Sequence, residues 1–373
     1  MIASKGSFEN KHSKSRIAFI GSRGIPNRYG GFERFVEDLV QHLPKNEFDI
    51  FVACETNLAC EDFRVPGVTR VFFPVVDQIR IFSEVFYDIL SLLWCSLKNI
   101  DIVYLCGYGA APFAIVPRIF GKIVLINVDG LEWKRTKFPV LIRKILKLLE
   151  FTATKVADVI VCDSRVIQDY YNILYKCRST VYIPYDANIH IQQIPGPAAI
   201  RKLGLLPDDY YLIVARIEPE NNIDTLIEGY IRSESRKKLA VVGPLPRSRF
   251  ARKIMKYRKQ GIMIFGPIYE RELLMSIRVH CFAYLHGHEV GGTNPSLLEA
   301  LALGNLIIAI DVPFNREVAR DAAIYFKKDP MNIASRIREL EKNSTSLDCM
   351  KNRAREIAKT DYSLDKIIRS YVN

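Results

Sequence analysis

From Arg16 to about Pro184, apolar runs of strand length alternate regularly with helical patterns, and this alternation restricts the fold more than any other feature of the chain. The strand-like runs cover 17–20, 48–52, 102–105, 123–126, 159–161 and 181–183, with helical segments between them at 32–43, 85–97 and 138–157. Strands this apolar leave no face suited to water, so the pattern predicts a parallel sheet covered by helices on both sides. A polar, proline-bearing break follows over 187–207, in which Pro195-Gly196-Pro197 reads as a linker. The rhythm then restarts, with strand-like runs at 211–214, 239–242, 262–265, 281–285, 306–310 and 323–326, and helical character from Pro330 to the end, where 367–371 forms a last apolar patch. The expected fold class is α/β: two Rossmann-like, doubly wound domains with a cleft between them and a C-terminal helical segment. Residues 1–15 are expected to be loosely ordered, 16–190 to form the first domain, and 191–373 the second with its terminal helices. In such pairs of sheets, ligands are expected at the carboxyl ends of the strands.

Composition narrows the class. Of 373 residues, 49% are hydrophobic and 25% charged, which is the balance of a globular protein and not of a disordered one. The first sixteen residues lack an apolar core, which argues against a secretory signal or anchor, and no apolar stretch reaches the roughly 18 to 20 residues needed to span a bilayer. A cytoplasmic location is expected. The eight cysteines show no C-x-x-C spacing and fall mostly in strand-like runs, so they read as buried thiols. A net charge of +12 points to an anionic partner: nucleic acid, acidic lipid or a phosphorylated substrate. Lys134, Arg135, Lys137, Arg143, Lys144 and Lys147 fall in one acid-free run interleaved with Phe138, Val140, Leu141, Ile142, Ile145 and Leu146. That segment suits an anionic membrane surface, or a layer helix with a solvated basic face.

The densest motif is His286-Gly-His-Glu-Val-Gly-Gly-Thr-Asn-Pro-Ser-Leu-Leu-Glu-Ala-Leu-Ala-Leu-Gly304. A strand-like run enters a loop with paired Gly291 and Gly292, and Thr293, Asn294 and Pro295 then open an apolar helix bearing Glu299. Such a helix start aims unpaired backbone N–H groups and the positive end of its dipole at whatever lies before it, and a diphosphate suits that place. Glu299, about one turn inside, is placed to accept hydrogen bonds from ribose hydroxyls. The competing reading is an ordinary capped βα connection.

Three further motifs also follow strands. Gly21-Ser-Arg-Gly-Ile-Pro-Asn-Arg-Tyr-Gly-Gly-Phe-Glu33 sets Gly30 and Gly31 at a helix start where an anion would be held; its spacing is not G-x-G-x-x-G, so a hydride-transfer site is weakly supported. Arg216, at a strand end, offers a fixed cation to a diphosphate, or an ion pair to Glu218 or Glu220. Asn127-Val-Asp-Gly-Leu-Glu-Trp-Lys-Arg135 offers Asp129 to bind or deprotonate an acceptor hydroxyl and Trp133 to stack on a sugar, or simply a turn at Asp129-Gly130. His286, His288 and Glu289 cluster without a distant fourth ligand, a poor metal site, so no metal and no cofactor is expected.

Together these blocks resemble retaining glycosyltransferases of the GT-B fold, in the large family 4. More narrowly, Gly21 to Glu33, Asp129-Gly-Leu-Glu-Trp-Lys134, Arg216-Ile-Glu-Pro-Glu-Asn-Asn222 and Gly287 to Ser296 resemble bacterial rhamnosyltransferases that extend lipid-linked capsule or exopolysaccharide units. The resemblance covers nearly the whole chain and implies an acceptor-binding first domain and a donor-binding second one. Glu299 matches the second glutamate of the family's E-x7-E motif, which binds the ribose; the first glutamate falls at Gly291. Arg216 matches the arginine on the diphosphate, whereas the lysine five residues later is Asn221, a loss that loop amides, Arg23 or Arg28 would offset.

The implied site has Asp129 and Arg216 as catalytic residues. Donor contacts come from Gly30, Gly31, Arg216, Glu289, Gly291, Gly292, Thr293, Asn294 and Glu299, and acceptor contacts from Arg28, Tyr29, Glu132 and Trp133. The expected reaction is metal-independent, retaining transfer of a sugar, L-rhamnose from dTDP-rhamnose, to a polyprenyl-diphosphate-linked saccharide by a peripheral protein at the inner face of the cell membrane, with no nucleic-acid partner. The rival readings are a basic nucleic-acid-binding protein and a catalytically silent nucleotide-sugar-binding scaffold.

Overall fold

The computed structural model describes residues 14–28, 30–59, 62–75, 80–177, 179–187, 195–342 and 347–372. They form two compact units, one of residues 1–134, 138–185 and 365–373, the other of 135–137 and 186–364. The first holds β1 (Ser15–Ile20), β2 (Phe48–Glu55), β3 (Val68–Phe73), β4 (Ile102–Cys106), β5 (Ile123–Asn127), β6 (Val159–Cys162) and β7 (Thr180–Tyr182) in one sheet of order β3-β2-β1-β4-β5-β6-β7. The second holds β8 (Tyr210–Val214), β9 (Lys238–Val242), β10 (Met263–Phe265), β11 (Ala283–His286), β12 (Leu306–Ile310) and β13 (Ala323–Phe326), ordered β10-β9-β8-β11-β12-β13. Every pairing is parallel.

The strands are as apolar as a doubly covered sheet demands. β4 and β12 are buried at every residue, and Ile17, Ala18, Phe19 and Ile20 of β1 are buried together. The helix Gly31–His42 supplies one cover with a single buried stripe, Phe35, Val36, Leu39 and Val40. In the second unit, Ile223, Leu226 and Ile227 of the helix Ile223–Ser233 join a core that includes Tyr211, Leu239, Leu285 and Ile308. Each sheet reverses its winding once: β1 lies between β2 and β4, and β8 between β9 and β11. With right-handed crossovers, the connections leave these two strands toward opposite faces, which opens a crevice at their carboxyl ends.

Two features depart from the sequence expectation. β3 was not among the anticipated strands. It sits at the sheet edge with only Phe73 fully buried, so its residues Val-Thr-Arg-Val-Phe-Phe never form the uninterrupted apolar run of a central strand. The last helix, Leu364–Val372, packs with the first unit from Asp365 onward and not with the second. Its apolar patch finds an aromatic pocket: the Tyr371 ring lies 5.8 Å from Tyr104 and 6.0 Å from Phe35, and the Tyr104 and Tyr371 hydroxyls are 2.8 Å apart. Asn127 donates to the Tyr104 hydroxyl at 3.0 Å, extending the network to the end of β5. Among the described residues all seven cysteines are free thiols, and five of them are buried; Cys60 lies outside the described residues.

The terminal clasp makes a prediction. Tyr371→Ala should destabilise the first unit by about 3–5 kcal/mol, as for a large buried side chain truncated to a methyl group. Tyr371→Phe, which removes only the hydroxyl, should cost about 1 kcal/mol. Urea unfolding measures both, and equal losses would mean that ring packing contributes nothing.

Candidate functional site

In the second unit the reversal point brings together the segments that follow β8 and β11. Asn221 is the bridge: its amide donates to the Arg216 carbonyl at 2.7 Å, and its side-chain oxygen faces His288 Nδ1 at 2.7 Å. Asn222, held at a left-handed φ of 49°, donates from its side chain to the Gly287 carbonyl at 2.8 Å, and the Glu289 N–H donates to the Glu220 carbonyl at 3.1 Å. Gly287 permits this approach, since a Cβ there would lie 2.3 Å from the Asn221 carbonyl oxygen. At Gly291, φ is 153° and a Cβ would meet His288 Nε2 at 2.8 Å.

The loop then starts the helix Pro295–Leu303. Asn294 caps it, its side-chain oxygen accepting from the Ser296 N–H at 2.9 Å, with Pro295 at the first helical position. Gly291, Gly292 and Thr293 lead into the cap, all three buried. Glu299, one turn inside, is 13% exposed and bonded to Arg278 Nη2 at 2.6 Å. Arg278 is 1% exposed and also donates to Ser296 Oγ at 3.2 Å. It was missed in the sequence, where its only signal is a lone cation inside the apolar stretch Ile277-Arg278-Val279 of the helix Arg271–Val279.

Arg216 is half exposed, and its Nε stands 3.9 Å from Glu218. Glu218 also takes Lys137 Nζ at 3.2 Å, and Glu220, 1% exposed, lies 4.0 Å from the same nitrogen. Burial pushes the Glu218 carboxyl upward, but Arg216 and Lys137 outweigh it and hold it below the ordinary range; burial raises Glu220. Burial also lowers His286 to about 3 and His288 well below the usual imidazole value, the latter helped by His286, Arg135 and Arg216, so both rings are neutral. Glu289 is tied to Lys328 Nζ at 2.8 Å. Among the described residues no group of three or more His, Cys, Asp and Glu side chains is arranged to hold a metal ion.

The remaining candidates lie on the first unit. Gly30 precedes the helix Gly31–His42, and the Glu33 carboxylate of its first turn accepts the Arg23 N–H at 3.0 Å and lies against Gly30. A carboxylate of the chain therefore already offsets the helix dipole where an anion was expected. Arg23 itself binds Glu84 at 2.6 Å, with Glu55 at 3.8 Å. Arg28 is exposed, and Tyr29 lies outside the described residues. Asp129 adopts a left-handed φ of 52°, its N–H donating to Asn127 Oδ1 at 3.0 Å and its carboxylate accepting from the Tyr185 hydroxyl at 3.1 Å. The Glu132 N–H donates to the Tyr108 hydroxyl at 3.1 Å. One face of Trp133 is covered by Lys147 Nζ, 4.4 Å from the ring centre. The structure thus groups Arg216, Glu289, Gly291, Gly292, Thr293, Asn294 and Glu299 on one unit, and Gly30, Gly31, Arg28, Asp129, Glu132 and Trp133 on the other.

Residues 14–188 match the family described as "Domain of unknown function (DUF1972)", and residues 198–357 match "Glycosyl transferases group 1". No curated protein matches the chain. Among solved structures, the chain is similar to sucrose-phosphate synthase from Thermosynechococcus elongatus, with a TM-score of 0.81 at 14% identity over 96% of this chain and 98% of that one. It is also similar to HepE of Anabaena in complex with UDP (TM-score 0.74, 13% identity, 96% and 98% covered) and to α,α-trehalose 6-phosphate synthase from Burkholderia multivorans (0.70, 13%, 97% and 96%). At such low identity these likenesses establish the fold, and the family match establishes the class of the second unit. The chain has the GT-B fold, and its residues 198–357 are a glycosyl transferases group 1 domain.

Proposed function

We propose that the chain transfers L-rhamnose from dTDP-rhamnose, with retention, onto a saccharide carried by a polyprenyl diphosphate in surface polysaccharide synthesis. The observation that carries the donor side of this reading is the Asn294-capped helix start, entered through Gly291 and Gly292, with Glu299 one turn inside and Arg216 on the hydrogen-bonded neighbouring loop. Backbone N–H groups of Gly292 and Thr293 bind the diphosphate, and Glu299 holds the ribose. As the bond from the anomeric carbon to the phosphate oxygen breaks, negative charge grows on the diphosphate, where Arg216 and the helix-end amides stabilise it. The acceptor oxygen bonds to the same face of that carbon, its proton passing to the departing phosphate, and Asp129 orients the hydroxyl.

HepE, solved with UDP and with UDP-glucose, supports a nucleoside diphosphate as the handle. Rhamnose rests on the sequence blocks and on Gly291, which leaves the sugar to Gly292, Thr293 and Asn294, or to Glu289. Gly30, Gly31, Arg28, Tyr29, Glu132 and Trp133 complete the donor and acceptor contacts.

A lipid-borne acceptor implies work at the inner face of the membrane. No described helix is long and apolar enough to cross one. The helix Val140–Val156 instead turns apolar side chains outward: Val140 is 66%, Leu141 69% and Leu148 62% exposed, with Ile145 and Phe151 beside them and Lys144 and Lys155 exposed among them. Its one acid, Glu150, is fully buried. Such a face suits an anionic interface.

Three outcomes check this reading. Arg216→Ala and Glu299→Ala should each lower kcat/KM for the donor by about 10²–10³-fold; wild-type rates at subsaturating donor in both would refute the site. In a thermal-shift panel of dTDP-, UDP- and GDP-sugars, dTDP-rhamnose should give the largest rise, since a ligand at about 100 times its Kd adds about 2.7 kcal/mol to the native state. The protein should float with anionic liposomes at low salt, and Leu141→Glu with Leu148→Glu should cut the bound fraction about tenfold or more by removing buried apolar area and adding repulsion. Failure of the wild type to float would remove the membrane role.

A further inference from the structure

The geometry points to Lys137 as a second cation on the donor diphosphate, acting beside Arg216; this deepens the donor-site reading above and rests on it. A departing nucleoside diphosphate carries more negative charge than one half-exposed arginine neutralises. A further cation comes from a distant stretch of sequence. Residues 135–137 group with the second unit although they follow the strand-end loop of β5. From there Lys137 Nζ reaches both oxygens of Glu218, at 3.2 and 3.3 Å, while Arg216 Nε approaches the same carboxylate at 3.9 Å. Two cations thus flank one acid at the reversal point of the sheet.

The position of Glu220 is the second observation. It is 1% exposed, neither of its carboxylate oxygens has a hydrogen-bond partner among the described residues, and Lys137 Nζ is 4.0 Å from one of them. Its backbone carbonyl takes the Glu289 N–H of the glycine-bearing loop, so the group sits where the two loops meet. A salt bridge built for stability alone would satisfy its buried acid. Here Glu218 instead gathers two like charges, and an incoming diphosphate would take over that role, with Lys137 and Arg216 as its ligands.

The test is calorimetric titration of the full chain with dTDP against dTMP and UDP against UMP. Lys137→Ala should weaken the diphosphate about tenfold and leave the monophosphate nearly unchanged, the loss expected for one charge-assisted contact. Lys137→Arg should retain most of the diphosphate preference. Glu218→Gln, which removes the carboxylate that the two cations share, should bind the diphosphate at least as tightly as wild type. A purely structural bridge predicts the opposite, with Lys137→Ala and Glu218→Gln weakening binding alike, and that result would overturn the proposal. If Arg216→Ala abolishes the diphosphate preference while Lys137→Ala keeps it, the proposal falls and the donor site stands. If neither variant changes the preference, the donor reading falls, and this proposal with it.

Discussion

The arrangement proposed to hold the donor depends on the hydrogen bonds that Asn221 makes between two loops leaving adjacent parallel strands. Its amide is committed to the Arg216 carbonyl, which turns its oxygen toward His288 Nδ1. That oxygen can only accept, so the Asn221 contact favours a proton on His288 Nδ1. A charged imidazole beside Arg216 would be repelled, and burial keeps the ring neutral. Each of these groups is shielded, so losing one partner would strand the other at a cost of about 1–3 kcal/mol. The strand spacing sets how close the loops come; Asn221, Asn222 and Gly287 convert that closeness into a fixed shape.

Glu299 has two demands on it. Arg278 is almost fully enclosed and needs a counter-charge, which Glu299 supplies at 2.6 Å. In the proposed reaction the same carboxylate accepts from the ribose. These roles are compatible because a carboxylate has two oxygens and several acceptor directions, and an arginine behind it fixes which of them face outward. The pair also explains why a mostly apolar helix, with Leu297, Leu298, Ala300 and Leu301 buried, tolerates an acid in its midst.

Much of this was legible in the residues. Central strands such as 102–105 and 306–310 announce themselves because burial on both faces demands unbroken apolar runs, and the helix start at Asn294 follows from capping chemistry alone. The edge strand β3 was illegible because half its surface meets solvent. The destination of the last helix was equally hidden: 367–371 shows an apolar patch, but nothing local says that Tyr371 meets Tyr104, 267 residues away. At the proposed site, the sequence places Arg216 after a strand and Glu299 within a helix, and the structure has them there. Arg278, Glu220 and Lys137 are not legible in this way, since their importance comes from contacts across long stretches of chain. At the glycine pair 30–31 the local pattern does not reveal that the Glu33 carboxylate of the same helix lies against Gly30.

The charge offered to a ligand by the β8 loop depends on how its two acids divide. Glu218 and Glu220 are two residues apart, and Lys137 lies within 4.0 Å of both. Interacting acids of this kind titrate as a pair. Arg216 and Lys137 stabilise the ionised form of Glu218, whereas burial and the charge on Glu218 oppose ionisation of Glu220. The negative charge is therefore favoured on Glu218, between the two cations, and disfavoured on Glu220. Burying Glu220 beside Glu218 thus makes a second negative charge costly next to Arg216 and Lys137, so the charge balance at the end of β8 depends on that burial as well as on the two cations.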